Sequence, residues 1–560
     1  MAVSKLAGAA ALGASLFEWF GMSQERYCLQ ERGFTSLSRR RRHLFSAGSR
    51  TDTMTRAGKW SDGGICLVLA IPAGVSEEKA GADDKKEIVF IADRCFEEEG
   101  APPLESLGKL VLVTDIEDQD PWYEMVRVIV EAKKDAPLHH FQAGKVEEIA
   151  AIARKELPEF LWILTRPDRI DVNLHFDLLE LLCALDEDPF IDCAFGYLTG
   201  ANPKEAADFG RRLVKVQKET LPRHFVEFGP AADRKTQFSG PSAHALARDW
   251  KHSNFFHGPL EDLLKKKESL KGAGIVRAGG HGMPDRIDDS LTGEELRAHQ
   301  IDFSPALYFS GPCYCGVTGA WYDVQSGAAR RTVVDPMKSF ALAVLESGAS
   351  ALFAGLDPDR GETCSQEIEH LWIHGDALGH ASKETYDGVV VALRLNKLRL
   401  RRYEDGKRLD PDLVQTMICG GASRALFGDP TWRPFKAACP RPFEPKVRDR
   451  KDSLDLTWEG KSGPTKYWMA NDVYRCDGGW THRFAFREEI PLKTARELKS
   501  LQSCEVTADG KPIEARFRTA MIERWGGKAF LHVYLVFPPA GQQNVYFVEK
   551  DLEARLTFKK

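Results

Sequence analysis

The sequence has few cysteines, almost no excess of charge, and no long apolar run beyond its first 85 residues. Its 12 cysteines in 560 residues are scattered, at a density far below that of a disulfide scaffold. The 77 basic and 82 acidic residues give a formal net charge of −5, which creates no strong field for nucleic acid or an anionic membrane. No segment after residue 85 reaches the roughly 18 apolar residues of a membrane span. With 43% hydrophobic residues, the chain can bury a large core, and its length favours several domains.

The first 85 residues lack the pattern of a packed domain, since Gly, Ala, Ser and Arg dominate and no amphipathic period persists. A basic stretch that begins at Met54 is followed by the apolar run ICLVLAI at 65–71 and then by small residues, which is the order of an export signal. We therefore expect residues 1–85 to be a leader, signal-like or disordered, with translation starting at Met1 or Met54. The apolar run at 6–20 is a second signal candidate. Export to the periplasm, cell surface or medium is the prediction, and a cytoplasmic protein is the alternative.

Short apolar runs alternate with helical periods along the middle of the chain. KLVLVTD at 109–115 and FLWILTR at 160–166 are each followed by a helical period, which predicts an α/β fold with a mostly parallel sheet and helices on both faces. Asn202, Pro203 and Glu205 predict the start of a helix. They supply an N-cap, a proline at the first helical position and a glutamate placed to complete a capping box.

The alternation stops near residue 437, and the pattern beyond it changes. After the prolines of 440–445, turn-separated strands such as AFLHVYLV at 529–536 predict a C-terminal β-sandwich of the immunoglobulin-like kind. Proline neither continues a helix nor pairs in a central strand, so this stretch is a connector. We therefore expect an α/β domain over residues 86–437 and a β-sandwich domain over residues 446–560.

A histidine and a cysteine each follow a predicted strand. IVRA at 275–278 leads through two glycines to His281 and Gly282, and ALYFS at 306–310 leads through Gly-Pro to Cys313. Ligands in open α/β sheets bind at the carboxyl ends of strands, and an imidazole can activate a cysteine nucleophile by taking its proton. His281 and Cys313 are therefore the candidate catalytic pair. The glycine lets the backbone N–H groups of Gly282 and Cys313 approach a substrate carbonyl as oxyanion donors.

The order of these motifs resembles the gingipain family of cysteine peptidases, which belongs to the caspase clan. The resemblance includes the His-Gly and Cys units, which lie 313 − 281 = 32 positions apart, the segment FGYLTG at 195–200 and the GDP turn at 428–430. It spans roughly residues 109–435. It implies a caspase-like fold that cleaves peptide or protein substrates through a thioester on Cys313, with His281 handling protons and with no metal or organic cofactor.

An acidic loop precedes the FGYLTG segment, with the sequence DEDPFID at 186–192. Its carboxylates could orient His281 or form the floor of a specificity pocket, and the gingipain resemblance implies that the loop approaches the substrate side chain. Asp188 and Asp192 are the candidate substrate-binding residues. The alternative is a solvated turn that ends a helix.

Two residues depart from the family pattern. Tyr197 stands where an arginine is common, and Pro312 precedes the cysteine directly, where a small residue is usual. Both favour a rival interpretation, in which a degenerate peptidase fold acts with the β-sandwich as a surface binding module.

A second alternative is a metal or redox site. It can be sketched from Cys313, Cys315, His370 and His374, although the Cys-x-Cys spacing is shorter than that of a usual zinc pair. Basic runs in the chain lack the interleaved aromatic residues of a single-stranded nucleic-acid groove. Nucleic acid is therefore not expected as a partner, and the sequence does not predict an oligomeric state.

Overall fold

The computed structural model contains one large α/β sheet followed in the chain by two β-sheets. The structure describes residues 109–186, 188–228, 251–255, 264–265, 267–288, 291–324, 327–358, 367–368, 371, 376–395, 398–409, 419–435, 445–460, 483–513, 516–525, 527–536 and 552–560. The predicted leader at 1–85, and with it the prediction of export, lies outside the described residues. So do His370 and His374 of the sketched metal site.

The α/β part begins with a regular alternation of strands and helices. Its elements are β1 (Leu110–Thr114), α1 (Tyr123–Ala132), β2 (Leu138–His140), α2 (Val146–Glu156), β3 (Phe160–Leu164), α3 (Val172–Leu182), β4 (Ala194–Leu198), α4 (Pro203–Val216), β5 (His224–Phe228), β6 (Lys251–Phe255), β7 (Ile275–Ala278), β8 (Gly282–Met283), β9 (Arg286–Ile287), β10 (Leu291–Thr292), α5 (Gly293–Ala298), β11 (Leu307–Ser310), β12 (Ala320–Asp323), β13 (Arg330–Val333), α6 (Phe340–Glu346), β14 (Ala351–Gly355), α7 (Leu378–Leu395) and β15 (Arg424–Phe427). Short 3-10 helices lie at Pro167–Arg169, Lys267–Ser269 and Pro336–Lys338.

Ten of these strands form a single sheet in the order β2-β1-β3-β4-β15-β14-β11-β7-β5-β6. Apart from the single pair Phe427–Tyr197 between β15 and β4, neighbouring strands are parallel, except that β14 and β15 are antiparallel. A Cβ built at Gly379 would lie 2.8 Å from the Pro430 Cβ, just after β15, and 3.0 Å from the Ala194 Cβ, at the start of β4. Because β15 runs opposite to β14, its carboxyl end lies beside the start of β14. The start of β4 is therefore at the edge of the sheet opposite the carboxyl ends of β7 and β11.

Helices cover both faces of the sheet, as the sequence predicts. Helix α1 packs against α4, and α2 packs against α3. All five residues of β3 and of β14 are buried, which explains why these strands are continuous apolar runs and do not alternate with polar residues. The predicted α/β class with a mostly parallel sheet is confirmed.

The predicted start of helix α4 is confirmed, with one difference in detail. The Asn202 side chain accepts a hydrogen bond from the Glu205 N–H at 3.0 Å, and Pro203 is in the first turn. The Glu205 carboxylate accepts from the Asn202 side-chain amide at 2.8 Å and not from its backbone N–H, as a capping box requires. Asparagine carries its own donor, so the reciprocal bond forms between the two side chains.

The C-terminal part is built from two packed β-sheets. Its elements are β16 (Pro445–Asp449), β17 (Ser453–Gly460), β18 (Arg483–Ile490), α8 (Leu492–Glu497), β19 (Ser500–Ala508), β20 (Lys511–Pro512), β21 (Arg516–Trp525), β22 (Lys528–Val536) and β23 (Leu552–Lys559). One sheet has the order β16-β17-β23-β19-β20 and the other β18-β22-β21. Leu456 and Phe558 of the first share a buried cluster with Leu531 and Val533 of the second. The predicted β-sandwich is confirmed.

The buried cluster of the sandwich also contains residues of the α/β part. Phe353 of β14, Leu426 of β15 and Trp432 belong to it together with Leu456 and Leu531. The division into domains near residue 440 stays a prediction. Separately, none of the helices in the described part of the chain combines the length and apolar content that crossing a bilayer requires.

Candidate active site

The strands that lead to His281 and Cys313 are neighbours in the sheet. Strand β7 pairs with β11 in parallel register, with Ala278 opposite Ser310. The Gly311 N–H extends the ladder by donating to the Ala278 carbonyl at 2.9 Å. His281 and Cys313 each lie three positions beyond the end of their strand. The structure therefore brings both loops to the same edge of the sheet.

Gly282 is in direct contact with the cysteine loop. A Cβ atom built at Gly282 would lie 2.2 Å from the Cys313 carbonyl oxygen, 2.7 Å from the Cys315 Sγ and 2.7 Å from the Pro312 Cβ. No side chain fits at position 282, because the nearest atom belongs to the backbone. The glycine that the sequence suggests as an oxyanion donor is thus also the contact that joins the two loops.

The two thiols of the Cys-x-Cys unit have different surroundings. Cys313 is half-buried, whereas Cys315 is fully buried, and burial raises the pKa of the Cys315 thiol above its ordinary value. The Cys315 Sγ lies 3.9 Å from the Met283 carbonyl and 3.8 Å from the Arg286 carbonyl, so the thiol donates to the loop that carries His281. Cys313 is the more accessible thiol, as a nucleophile must be.

His281 itself is exposed, and its main chain is bound by Asp288. The His281 N–H donates to the Asp288 Oδ1 at 2.9 Å, and the Asp288 N–H donates to the His281 carbonyl at 2.7 Å. Asp288 is not among the site residues predicted from the sequence. From the sequence alone, nothing links a polar residue to a histidine seven positions earlier. The link becomes visible only once the β8–β9 hairpin between them is known.

A buried acid lies beside the cysteine loop. Asp357 follows β14, is 1% exposed, and accepts a hydrogen bond through Oδ2 from the Tyr403 hydroxyl at 2.5 Å. Its carbonyl accepts from the Tyr314 N–H at 3.4 Å. Burial raises the pKa of Asp357 to about 7, although the Tyr403 hydrogen bond opposes the shift. Asp357 follows a buried strand, as His281 and Cys313 do, so the same sequence rule could have found it.

Two buried polar atoms at this place have no hydrogen-bond partner among the described residues. They are the Asp357 Oδ1 and the hydroxyl of Tyr314. Tyr314 directly follows Cys313 and has a left-handed backbone with φ +57°. Burial and then the neighbouring Asp357 carboxylate raise the pKa of Tyr314. Unpaired buried polar atoms are costly, so a bound group could be their partner.

Arg424 of β15 fixes the ends of the strands next to the site. It is 1% exposed and donates to the Ser310 carbonyl at 2.7 Å and to the Phe353 carbonyl at 3.1 Å. Its guanidinium also forms two parallel hydrogen bonds with the Glu367 carboxylate, at 2.8 and 2.7 Å. Such a bidentate pair has one preferred geometry, which makes the end of β11 a rigid support for the cysteine loop.

Asp188 and Asp192 of the acidic loop lie against the β-sandwich. The Asp188 carboxylate accepts from the Phe190 N–H at 2.8 Å and from the Arg524 N–H at 2.6 Å. The Asp192 carboxylate accepts from the Asp186 N–H at 3.2 Å. Burial and then repulsion from Asp186 raise the pKa of Asp192 to about 10 and that of Asp188 also far upward. A role of these two residues in binding substrate stays a prediction.

Among the described residues, the acidic loop also supplies the one group of three side chains close enough to share a metal ion. The group is Asp186, Asp188 and Asp192, with ligand atoms within 4.8 Å of one another. It contains neither cysteine of the sketched metal site. That alternative depends on His370 and His374, which the structure does not describe.

No protein-family model matches the sequence, and a search of curated proteins finds no match. Among solved structures, the chain is similar to the complex of the pro- and mature domains of Porphyromonas gingivalis RgpB, with a TM-score of 0.40, 11% identity, and coverage of 76% of this chain and 93% of that chain. It is also similar to the Arg-specific cysteine proteinase gingipain R (RgpB), with a TM-score of 0.40, 11% identity, and coverage of 77% and 93%. The α/β class of this chain is shown by the order and pairing of its strands.

Proposed function

We propose that the α/β part of this protein is a cysteine peptidase in which Cys313 attacks the peptide bond and His281 transfers the protons. The observation that carries the proposal is the contact of Gly282 with the Cys313 backbone at the ends of the paired strands β7 and β11. It joins the histidine loop to the half-buried thiol. A thiol beside an imidazole is a general arrangement for nucleophilic catalysis.

The chemistry follows from these groups. His281 accepts the thiol proton as the Cys313 Sγ attacks the scissile carbonyl, and the resulting oxyanion is held by the N–H groups of Gly282 and Cys313. The same imidazole then gives the proton to the leaving amine, which leaves a thioester on Cys313. Water, deprotonated by His281, hydrolyses the thioester and restores the thiol.

The unpaired atoms beside Cys313 indicate what the substrate should offer. The Asp357 Oδ1 accepts hydrogen bonds, and it is buried next to the loop that carries the nucleophile. A substrate side chain with hydrogen-bond donors, above all a cationic one, would satisfy it, since donors to a carboxylate form stronger hydrogen bonds than neutral pairs do. We therefore propose Asp357 as a contributor to substrate choice.

The rival binding-module hypothesis depended on Tyr197 and Pro312. Tyr197 is fully buried in β4, where its hydroxyl lies 3.0 Å from the His175 Nδ1. Pro312 is buried against Gly282. Both side chains contribute to packing at their positions. Their departure from the family pattern is accounted for by the core and by the contact between the loops, so neither one favours loss of activity.

A thiol-directed probe with a peptide recognition element tests the proposal on the full chain. We expect labelling at Cys313, loss of labelling in His281→Ala without loss of the folded state, and retention in Cys315→Ser, since a hydroxyl can donate to the same two carbonyls. Labelled peptides are identified by mass spectrometry. Labelling confined to Cys315, or bound zinc that disappears in Cys315→Ser, would favour the metal or redox hypothesis.

A further inference from the structure

The position of the His281 ring depends on its main chain, because the residue is exposed. The main-chain hydrogen bonds of His281 both involve Asp288, one through the carboxylate at 2.9 Å and one through the Asp288 N–H at 2.7 Å. A change in the position of Asp288 should therefore shift the His281 backbone, and with it the imidazole.

The carboxylate of Asp288 replaces a missing part of a β-ladder. Strands β8 and β9 pair antiparallel, with Gly282 opposite Ile287, so His281 and Asp288 are the next opposing pair. In a continuing ladder the His281 N–H would donate to a backbone carbonyl. Asp288 has a left-handed backbone with φ +47°, and its side chain supplies the acceptor.

The remainder of the histidine hairpin, residues 281–288, is anchored independently of Asp288. The Pro284 carbonyl accepts from the Phe340 N–H at 2.9 Å, and the Asp285 carbonyl accepts from the Gly293 N–H at 2.9 Å. Ile287 is fully buried, and Gly282 is pressed against the cysteine loop. Loss of the Asp288 carboxylate would therefore free His281 locally while the hairpin stays in place.

We propose that Asp288 is a positioning residue for His281, whose carboxylate holds the histidine main chain so that the imidazole faces the Cys313 thiol. The proposal rests on the proposed function of the pair. A catalytic group displaced by about 1 Å can lose on the order of 100-fold in rate. The bond lies near the surface, so its loss should cost the folded state little.

The test compares Asp288→Ala, which removes the acceptor, with Asp288→Asn, which retains an oxygen in the same place. Asp285→Ala is the matched control, because Asp285 lies in the same hairpin and its carboxylate pairs with Arg286 at 3.3 Å. We expect Asp288→Ala to lower kcat about ten- to 100-fold with KM nearly unchanged, by the same positional argument. Alanine is strained at the left-handed φ of Asp288, so its Tm should fall slightly. Asp288→Gly removes the acceptor without that strain and should lose kcat to the same extent with Tm nearly unchanged. Asp288→Asn and Asp285→Ala should stay within about threefold of the wild type on that argument.

A second measurement separates this proposal from the proposed function. The rate at which iodoacetamide alkylates Cys313 is followed against pH, which monitors the thiol and imidazole without any peptide cleavage. The Asp288→Ala profile should approach that of His281→Ala, and the Asp288→Asn profile should match the wild type.

If the wild type cleaves no peptide but shows these profiles, the peptidase proposal fails and the positioning role stands. Wild-type kinetics and a wild-type alkylation profile in Asp288→Ala would overturn the positioning role. So would equal losses in Asp288→Ala, Asp288→Asn and Asp285→Ala accompanied by a lower Tm, because the effect would then be one of stability.

Discussion

Replacing Lys383 by methionine should loosen the attachment of the β-sandwich to the α/β sheet. The Lys383 ammonium lies 2.6 Å from the Asp387 carboxylate on α7 and 2.6 Å from the Glu523 carboxylate on β21. The three side chains are 2%, 1% and 1% exposed. Glu523 also binds the His532 Nε2 at 2.7 Å. The substitution leaves two buried carboxylates without their cation.

Removing one partner of a buried ion pair costs about 3–5 kcal/mol. At roughly 2 °C per kcal/mol for large domains, the Tm should fall by about 6–10 °C. The loss of stability caused by Lys383→Met should also depend on pH. Burial already raises the pKa of Asp387 to about 6, with Lys383 opposing the shift, and removal of the ammonium raises it further.

A carboxyl whose pKa is raised by folding stabilises the folded state below its unfolded pKa and loses that contribution as pH rises through the folded pKa. The deficit of Lys383→Met should therefore be larger at pH 8 than at pH 5. Thermal unfolding at both values measures it.

Lys528→Met is the control, because Lys528 pairs with Glu489 at 2.7 Å with side chains 48% and 55% exposed, and an exposed pair contributes about 0–1 kcal/mol. The triple variant Lys383→Met, Asp387→Asn, Glu523→Gln should recover much of the loss, since it leaves no uncompensated charge. A Tm of Lys383→Met within about 2 °C of the wild type at pH 8, on the same scale, would refute the reasoning. So would an equal deficit at both pH values.

Three further predictions concern the site and the domains. Gly282→Ala should slow labelling of Cys313 at least tenfold, whereas Gly279→Ala, whose Cβ would meet its nearest atom only at 4.0 Å, should leave it unchanged; equal rates would contradict the contact between the loops. The wild type should lose stability as pH rises from 3.8, the ordinary pKa of an aspartate, through about 7, the pKa of Asp357 in the folded protein; in Asp357→Asn this fall of Tm with pH should be absent. The same variant should lower kcat/KM more for substrates with cationic side chains than for neutral ones, and an unchanged pH slope with an unchanged preference would contradict the prediction. Fragments 86–437 and 446–560 should fold separately but unfold at lower temperatures than the full chain, because the shared buried cluster is lost; a fragment that fails to fold would refute the boundary.

The ends of the buried strands could be predicted from the sequence. Ile275–Ala278 and Leu307–Ser310 are short apolar runs followed by glycine, and central parallel strands are apolar on both faces. The α/β class and the meeting of the His281 and Cys313 loops follow from that pattern, whereas the sandwich follows from the turn-separated strands after residue 440. The predicted catalytic roles stay predictions.

Long-range pairing and buried charge could not be predicted in the same way. The antiparallel placement of β15 beside β14 depends on which strands become neighbours in the sheet. The sequence of a four-residue apolar strand does not show whether it runs parallel or antiparallel to its neighbour. Arg424 within it would be expected on the surface, because charged residues are rarely buried unless paired. Its partner Glu367 lies 57 positions away. Asp288 was missed for a related reason, since its bond to His281 exists only once the hairpin has formed.

The antiparallel pair of β14 and β15 has a consequence for how this sheet can be used. In a fully parallel sheet, each loop that follows a strand faces the same rim, and the loops that precede strands face the opposite one. Here the reversal brings the loop before β15, with Arg424, to the rim that carries the loops after β7, β11 and β14. The loop after β3 reaches the same rim, since the Thr318 hydroxyl, beyond the cysteine loop, donates to the Pro167 carbonyl at 2.7 Å. The loop before β4 ends at the opposite rim, where Ala194 lies close to Pro430. The surroundings of Cys313 are therefore built from both halves of the sheet, by loops that follow strands on one side and by the loop that precedes β15 in the middle.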